Sequence, residues 1–161
     1  MKMSEGVEWA VHCCLTLAWL ETETETAVPT ATLAAAFDLP SHYLNKVLQA
    51  LSRAGVLTST AGPRGGFRLA RRPEQITLLD VVEAIEGRGP AFRCTDIRRR
   101  GAGTSAKPSE FARPCGVAIA MNKADQAWRA SLASQTIGGL IGPGTAAGAA
   151  RMRCWYAARG R

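Results

Sequence analysis

A mostly α fold with a small β-hairpin wing, in the form of a winged helix-turn-helix followed by a long dimerisation helix, is predicted by three stretches of the chain. Ser41 to Gly55 has the apolar spacing of a helix. Directly behind it, Gly62-Pro63-Arg64-Gly65-Gly66-Phe67 reads as a basic glycine hairpin. Further on, an amphipathic run from Cys115 to about Gln135 is long enough to pair with a second copy.

Each element follows from its residues. Val7, Ala10, Val11, Cys14, Leu15 and Ala18 recur at helical spacing and predict a first helix from about Gly6 to Leu20. The threonine-glutamate alternation from Glu21 to Thr26 ends it. Pro29 and Thr30 open a short helix through Phe37, and Asp38-Leu39-Pro40 turns the chain into Ser41, which has the side chain of a good N-cap. Leu44, Val47, Leu48 and Leu51 form the buried stripe of the third helix, with Gly55 as its stop. Short β-prone runs, 56–60 and 67–70, flank the glycine hairpin. Thr77 caps a fourth helix carrying Leu78, Leu79, Val82 and Ile85, and Gly87 ends it.

Four segments result: residues 1–87 as the DNA-binding domain, 88–114 as an irregular sensor loop, 115–141 as the dimerisation helix region, and 142–161 as a basic flexible tail. In a chain of 161 residues no separate catalytic domain fits beside such a reader, and nothing in the motifs suggests an enzyme.

The charge is distributed to match. The chain carries +7 overall, and residues 31–75 hold six basic side chains (Lys46, Arg53, Arg64, Arg68, Arg71, Arg72) against Asp38 and Glu74. Residues 1–30 are acidic instead. In a helix-turn-helix, Ser41, His42, Tyr43, Asn45 and Lys46 occupy the turns that reach base edges or flanking phosphates of double-stranded DNA, with Arg53 farther along. Arg64, at the hairpin tip, suits a narrow minor groove, and Arg68 on the following strand suits phosphate. The run Arg98-Arg99-Arg100 is better read as a solvated loop.

The beginning of the chain has no signal-peptide pattern and no apolar run approaches a membrane span, which predicts a soluble, cytoplasmic protein. Five cysteines in a reducing compartment point to metal or redox chemistry rather than a disulfide framework. Cys13 and Cys14, adjacent on a helix, make a poor chelate and read as small core residues, and Cys154 reads as a surface thiol.

Tyr43-Leu44-x-x-Val47-Leu48, Leu51-Ser52-Arg53-Ala54-Gly55, the Gly62 to Ala70 hairpin and Ile76-Thr77-Leu78-Leu79-Asp80-Val81-Val82 together resemble the Rrf-two family of bacterial transcriptional regulators, over roughly residues 1–141. That resemblance implies a homodimer on a palindromic operator, with a repressor's role, and in many members an iron-sulfur cluster at the base of the dimerisation helix. Gly6-Val7-Glu8-Trp9-Ala10, Phe92-x-Cys94-Thr95 and Cys115 are similar to the RsrR-like subgroup, in which two cysteines of one protomer share a 2Fe-2S cluster with a glutamate and a histidine of the other. Cys94, Cys115 and Glu8 match that pattern; Phe37 stands at the histidine's position and cannot ligate. His12, one helical turn after Glu8, is the substitute ligand this chain offers, with Asp38 or solvent as other options. The rival readings are a cluster-free regulator working through thiols or a small-molecule ligand, and a structural DNA-binding protein with no signal input.

Overall fold

The computed structural model describes residues 3–21, 27–63 and 65–159. It contains six α-helices among these residues: α1 (Glu5–Leu20), α2 (Thr30–Phe37), α3 (Ser41–Arg53), α4 (Leu78–Glu86), α5 (Gly116–Ala133) and α6 (Ala146–Ala157). One antiparallel hairpin is formed by β1 (Leu57–Thr60) and β2 (Gly66–Leu69). Two compact units divide the chain, one of residues 89–131 and one of residues 2–88 with 132–161. No helix among the described residues is long and apolar enough to cross a membrane.

In the larger unit the core is built from α1, α2, α3, the hairpin and α4. Leu44, Leu48, Leu51, Val56, Ile76 and Val81 are fully buried there. Gly6 lets α1 approach α3 and α4 closely, since a Cβ at that position would already lie 3.3 Å from Ile85 and 3.7 Å from Val47. Cys13 and Cys14 are both buried, and burial raises both thiols, Cys13 to about 12, so neither is a thiolate at neutral pH. They are small core residues, as their adjacency on one helix implied.

The turn between α2 and α3 is set by Asp38, which takes the left-handed conformation (φ 52°) while the N–H of Leu39 returns to the Ala34 carbonyl at 2.9 Å. Ser41 does not cap α3. Pro40 occupies the cap position and Ser41 is the first helical residue, because proline's fixed φ suits a helix entry. The Ser41 hydroxyl is therefore left on the exposed face.

In the hairpin, Leu57 pairs with Leu69, Thr58 with Arg68, Ser59 with Phe67 and Thr60 with Gly66. Phe67 and Leu69 point into the core and Arg68 points out, the alternation expected of a half-buried strand. The outer edge of β2 is also occupied: Val28 and Phe67 exchange two backbone hydrogen bonds, each 2.9 Å. Only glycine fits beside that bridge, since a Cβ at Gly66 would lie 2.3 Å from the Val28 carbonyl oxygen. α4 starts at a reciprocal cap in which Thr77 Oγ1 accepts from the Asp80 N–H at 3.0 Å and Asp80 accepts from the Thr77 N–H at 3.0 Å.

After α5 the chain rejoins this unit. Leu78 N donates to the Gln135 carbonyl (2.8 Å), Ile137 N donates to the Ile76 carbonyl (2.9 Å), and Ile137 is fully buried. The segment expected to be a flexible basic tail instead contains α6, with Ala149 buried and Tyr156 packed against the core. Alanine's helix propensity and this docking outweigh the glycine and arginine content on which the expectation rested.

In the smaller unit, three 3₁₀ turns break up the irregular segment (Ile97–Arg99, Gly101–Ser105, Pro108–Phe111). Asp125 accepts from the Ala91 N–H and from Arg129, whose guanidinium also reaches the Gly89 carbonyl at 2.8 Å, so the start of the segment is tied to α5. No residue of α5 is buried, and Val117, Ile119 and Met121 are 62%, 55% and 43% exposed.

Candidate functional site

The exposed side of the larger unit follows from the apolar period of α3. Leu44, Val47, Leu48 and Leu51 face inward, which leaves Ser41, His42, Tyr43, Asn45, Lys46 and Arg53 on the outside. Two of these are held by neighbours. The Tyr43 ring meets Trp9 of α1 edge to face at 5.2 Å, and Asn45 Oδ1 accepts from the Thr30 hydroxyl at 3.3 Å. Arg68 is exposed on β2. Arg64 lies outside the described residues.

Arg71, counted by sequence among the six basic side chains of residues 31–75, is committed within the chain. It donates to the Gln75 carbonyl at 3.0 Å and pairs with Asp80 at 3.2 Å, so it braces the entry to α4. A basic residue nine positions before the cap's carboxylate was the available signal, and it does not distinguish a brace from a phosphate contact.

The second cluster is in the smaller unit. Cys94 is exposed and Cys115 is half-buried immediately before α5. The Cys115 thiol is held below its ordinary range, first by the backbone N–H groups of Ala118 and Val117 at the α5 N-terminus, then by the Arg98 charge and a hydrogen bond from Cys94. Cys94 Sγ accepts from the Asp96 N–H at 3.4 Å. Asp96 in turn holds Arg98 (2.6 Å) and Arg99, and both guanidinium groups lie over the Phe111 ring, at 5.3 and 4.6 Å. Arg98 also donates to the Arg113 carbonyl at 2.8 Å. The arginine run is thus no plain solvated loop: two of its three members organise the surroundings of the thiols.

Glu8 and His12 are both exposed on α1, one turn apart, and line a cavity of about 210 Å³ with Trp9, Phe37 and Leu39. The His12 and Phe37 rings are 5.8 Å apart. Asp38 is exposed in the α2–α3 turn. Within one chain and among the described residues, no three His, Cys, Asp or Glu side chains converge as a metal site. The structure therefore brings Cys94 to Cys115 and Glu8 to His12, as two pairs in different units.

Comparison with known proteins agrees with this architecture. The Rrf2 (Rrf-two) family, described as "Iron-dependent Transcriptional regulator", matches residues 3–143. An HTH-type transcriptional regulator of Lactococcus lactis, YffB, is 34% identical over 124 residues, covering 76% of each chain. One of Aquifex aeolicus is 37% identical over 93 residues, 58% of this chain, and the match spans 60% of that relative's length. The fold is shared with the solved structure of T. potens IscR, at a TM-score of 0.63 and 20% identity over 88% of this chain and 86% of that one. These relatives are named as regulators and not as enzymes. On its own residues and on these matches, the chain belongs to the Rrf2 family of transcriptional regulators.

Proposed function

We propose that this chain is a homodimeric repressor whose affinity for a palindromic operator changes with the state of the Cys94–Cys115 pair, the two thiolates serving as ligands of a 2Fe-2S cluster. The observation that carries the reading is the place of Cys115 immediately before α5, where the backbone N–H groups of Ala118 and Val117 and the Arg98 charge favour its thiolate, with Cys94 beside it and tied to the Asp96 that holds Arg98.

The donor set fits. Two neighbouring thiolates suit one iron, and an oxygen and a nitrogen ligand suit the other, a mixed set of the kind histidine-ligated centres use. Glu8 and His12, both on the exposed side of α1, would offer that oxygen and nitrogen, supplied to a given cluster by the partner protomer. When bound, such a group supplies an electron-accepting centre sensitive to oxidation and nitrosylation. Around it, Arg98 offsets the charge of the thiolates, and Asp96 fixes Arg98. The apolar outer stripe of α5, with Val117 and Met121, is the surface that would pair two chains. On DNA, the first turns of α3 meet base edges, while Lys46, Arg53, Arg64 and Arg68 meet the backbone and minor groove.

The test is the visible spectrum, with iron and sulfide analysis, of protein purified without oxygen, alongside a Cys94→Ala/Cys115→Ala variant. A cluster signal lost in the variant is the expected result. Absence of the signal from both would overturn the cluster assignment and leave DNA binding to be tested by gel shift.

The closeness of the two thiols favours a second reading. Without a cluster, Cys94 and Cys115 join as a disulfide, two thiols and one hydrogen peroxide giving one S–S bond and two waters. Mass spectrometry after peroxide treatment distinguishes it by a loss of two hydrogens confined to these residues.

A further inference from the structure

The docking of α6 creates a second cavity, which shares His12 and Phe37 with the one beside Glu8 and contains neither of the two thiols. It measures about 410 Å³ and lies among α1, the C-terminal end of α2 and α6, within the range of small-molecule sites. Trp19, Phe37, Trp155 and Met152 supply apolar and aromatic walls. The polar lining comes from Arg151 and His12, and none of the described lining residues is acidic. Gly148 forms part of the floor: a Cβ there would be in ordinary van der Waals contact with the Trp19 ring at 3.6 Å and an Arg151 guanidinium nitrogen at 4.0 Å, so only a larger side chain would fill the space. Trp155 is braced by Arg159, whose guanidinium lies 4.0 Å from the ring centroid and adds positive charge to that end of α6.

We infer that this cavity binds an aromatic carboxylate, its ring against Trp19, Phe37 and Trp155 and its carboxylate on Arg151. Flat π faces select a planar ring, and a guanidinium fork matches a carboxylate with two parallel hydrogen bonds. A single arginine without a nearby acid in the lining suits a monoanion better than a phosphate. Ala36 and Phe37 end α2, so an occupant touches the element that leads through Asp38 into α3. That last consequence rests on the proposed DNA-reading role; binding itself does not.

The experiment is calorimetric titration of the full chain with 2-naphthoate, and with naphthalene-2-carboxamide as its uncharged counterpart. Saturable binding of one naphthoate per chain is expected, weakened at least tenfold for the carboxamide and for Arg151→Gln, and abolished in Gly148→Leu, whose side chain fills the floor. Circular dichroism confirms that both variants are folded, and Arg151→Gln, at an exposed position, serves if the glycine variant is not. No binding to the native chain, or binding unchanged in Arg151→Gln, would overturn the proposal. Operator binding by the ligand-free native chain is measured separately, so failure of the DNA reading is distinguishable from failure of this one.

Discussion

One carboxylate oxygen of Glu86, at the end of α4, accepts two hydrogen bonds from Ser4, from its N–H at 2.9 Å and its hydroxyl at 2.6 Å, and so joins the far end of α4 to the start of α1. The negative charge sits at the N-terminus of α1, where it also meets the helix dipole favourably. These bonds hold the Glu86 carboxyl below its ordinary value of 4.5.

A group with a lowered folded-state pKa stabilises fully above its unfolded value and loses that contribution as pH falls through the folded one. Glu86→Gln is therefore expected to flatten the stability profile below about pH 4.5, with a loss under ~1 kcal/mol at neutral pH because both partners are exposed. Urea midpoints of the two proteins from pH 3 to 7 check this; parallel profiles would rule it out.

The cap of α4 predicts a larger effect. Thr77→Ala removes the hydroxyl that accepts from Asp80 and is expected to cost ~1 kcal/mol, read as a lower urea midpoint at unchanged slope. Restoration by Thr77→Ser identifies the cap as the cause.

Gly66→Ala places a methyl group against the Val28 carbonyl oxygen and is expected to destabilise the chain by ~1–3 kcal/mol, or to break the Val28–Phe67 bridge. Hydrogen exchange at the Phe67 and Val28 amides reports which occurs. Protection equal to that of the native chain, with native stability, would contradict the packing described.

Val117→Asp and Met121→Asp put charges on the exposed apolar side of α5. If that side pairs two chains, sedimentation equilibrium finds dimer dissociation raised at least about tenfold, or ~1.4 kcal/mol. A dimer of native strength would move the interface elsewhere.

Arg68→Ala is expected to weaken all duplexes alike and to reduce the salt slope of binding by ~0.9, the signature of one lost phosphate contact. His42→Ala should instead alter the ranking of operator variants. Equal slopes before and after the Arg68 change would place that side chain off the backbone.

The parts of this fold most legible in sequence are those whose periodicity and punctuation agree. α3 has four inward leucine and valine positions in register and a glycine stop, and the hairpin has glycines where its backbone crowds Thr60 and Val28. α6 was obscure because its residues are small or basic and its burial depends on contact with distant α1, which composition does not encode. Arg71, Arg98 and Arg99 were equally opaque: charge alone does not tell whether a guanidinium faces a phosphate or a carboxylate of the same chain, here Asp80 and Asp96. The pairing of Cys94 with Cys115 was suggested by resemblance, but the Asp96 and Arg98 arrangement around it emerged only from the folded loop.

The bridge between Val28 and Phe67 limits how a signal can change DNA binding. With β2 bonded on one edge to β1 and on the other to the residue that leads into α2, the wing cannot swing independently of the helices it flanks. In the proposed dimer on DNA, each head would then present a fixed span between the start of α3 and the hairpin. A switch acting on such heads would alter the number of base pairs preferred between operator half-sites, while the bases favoured within each half-site stay the same.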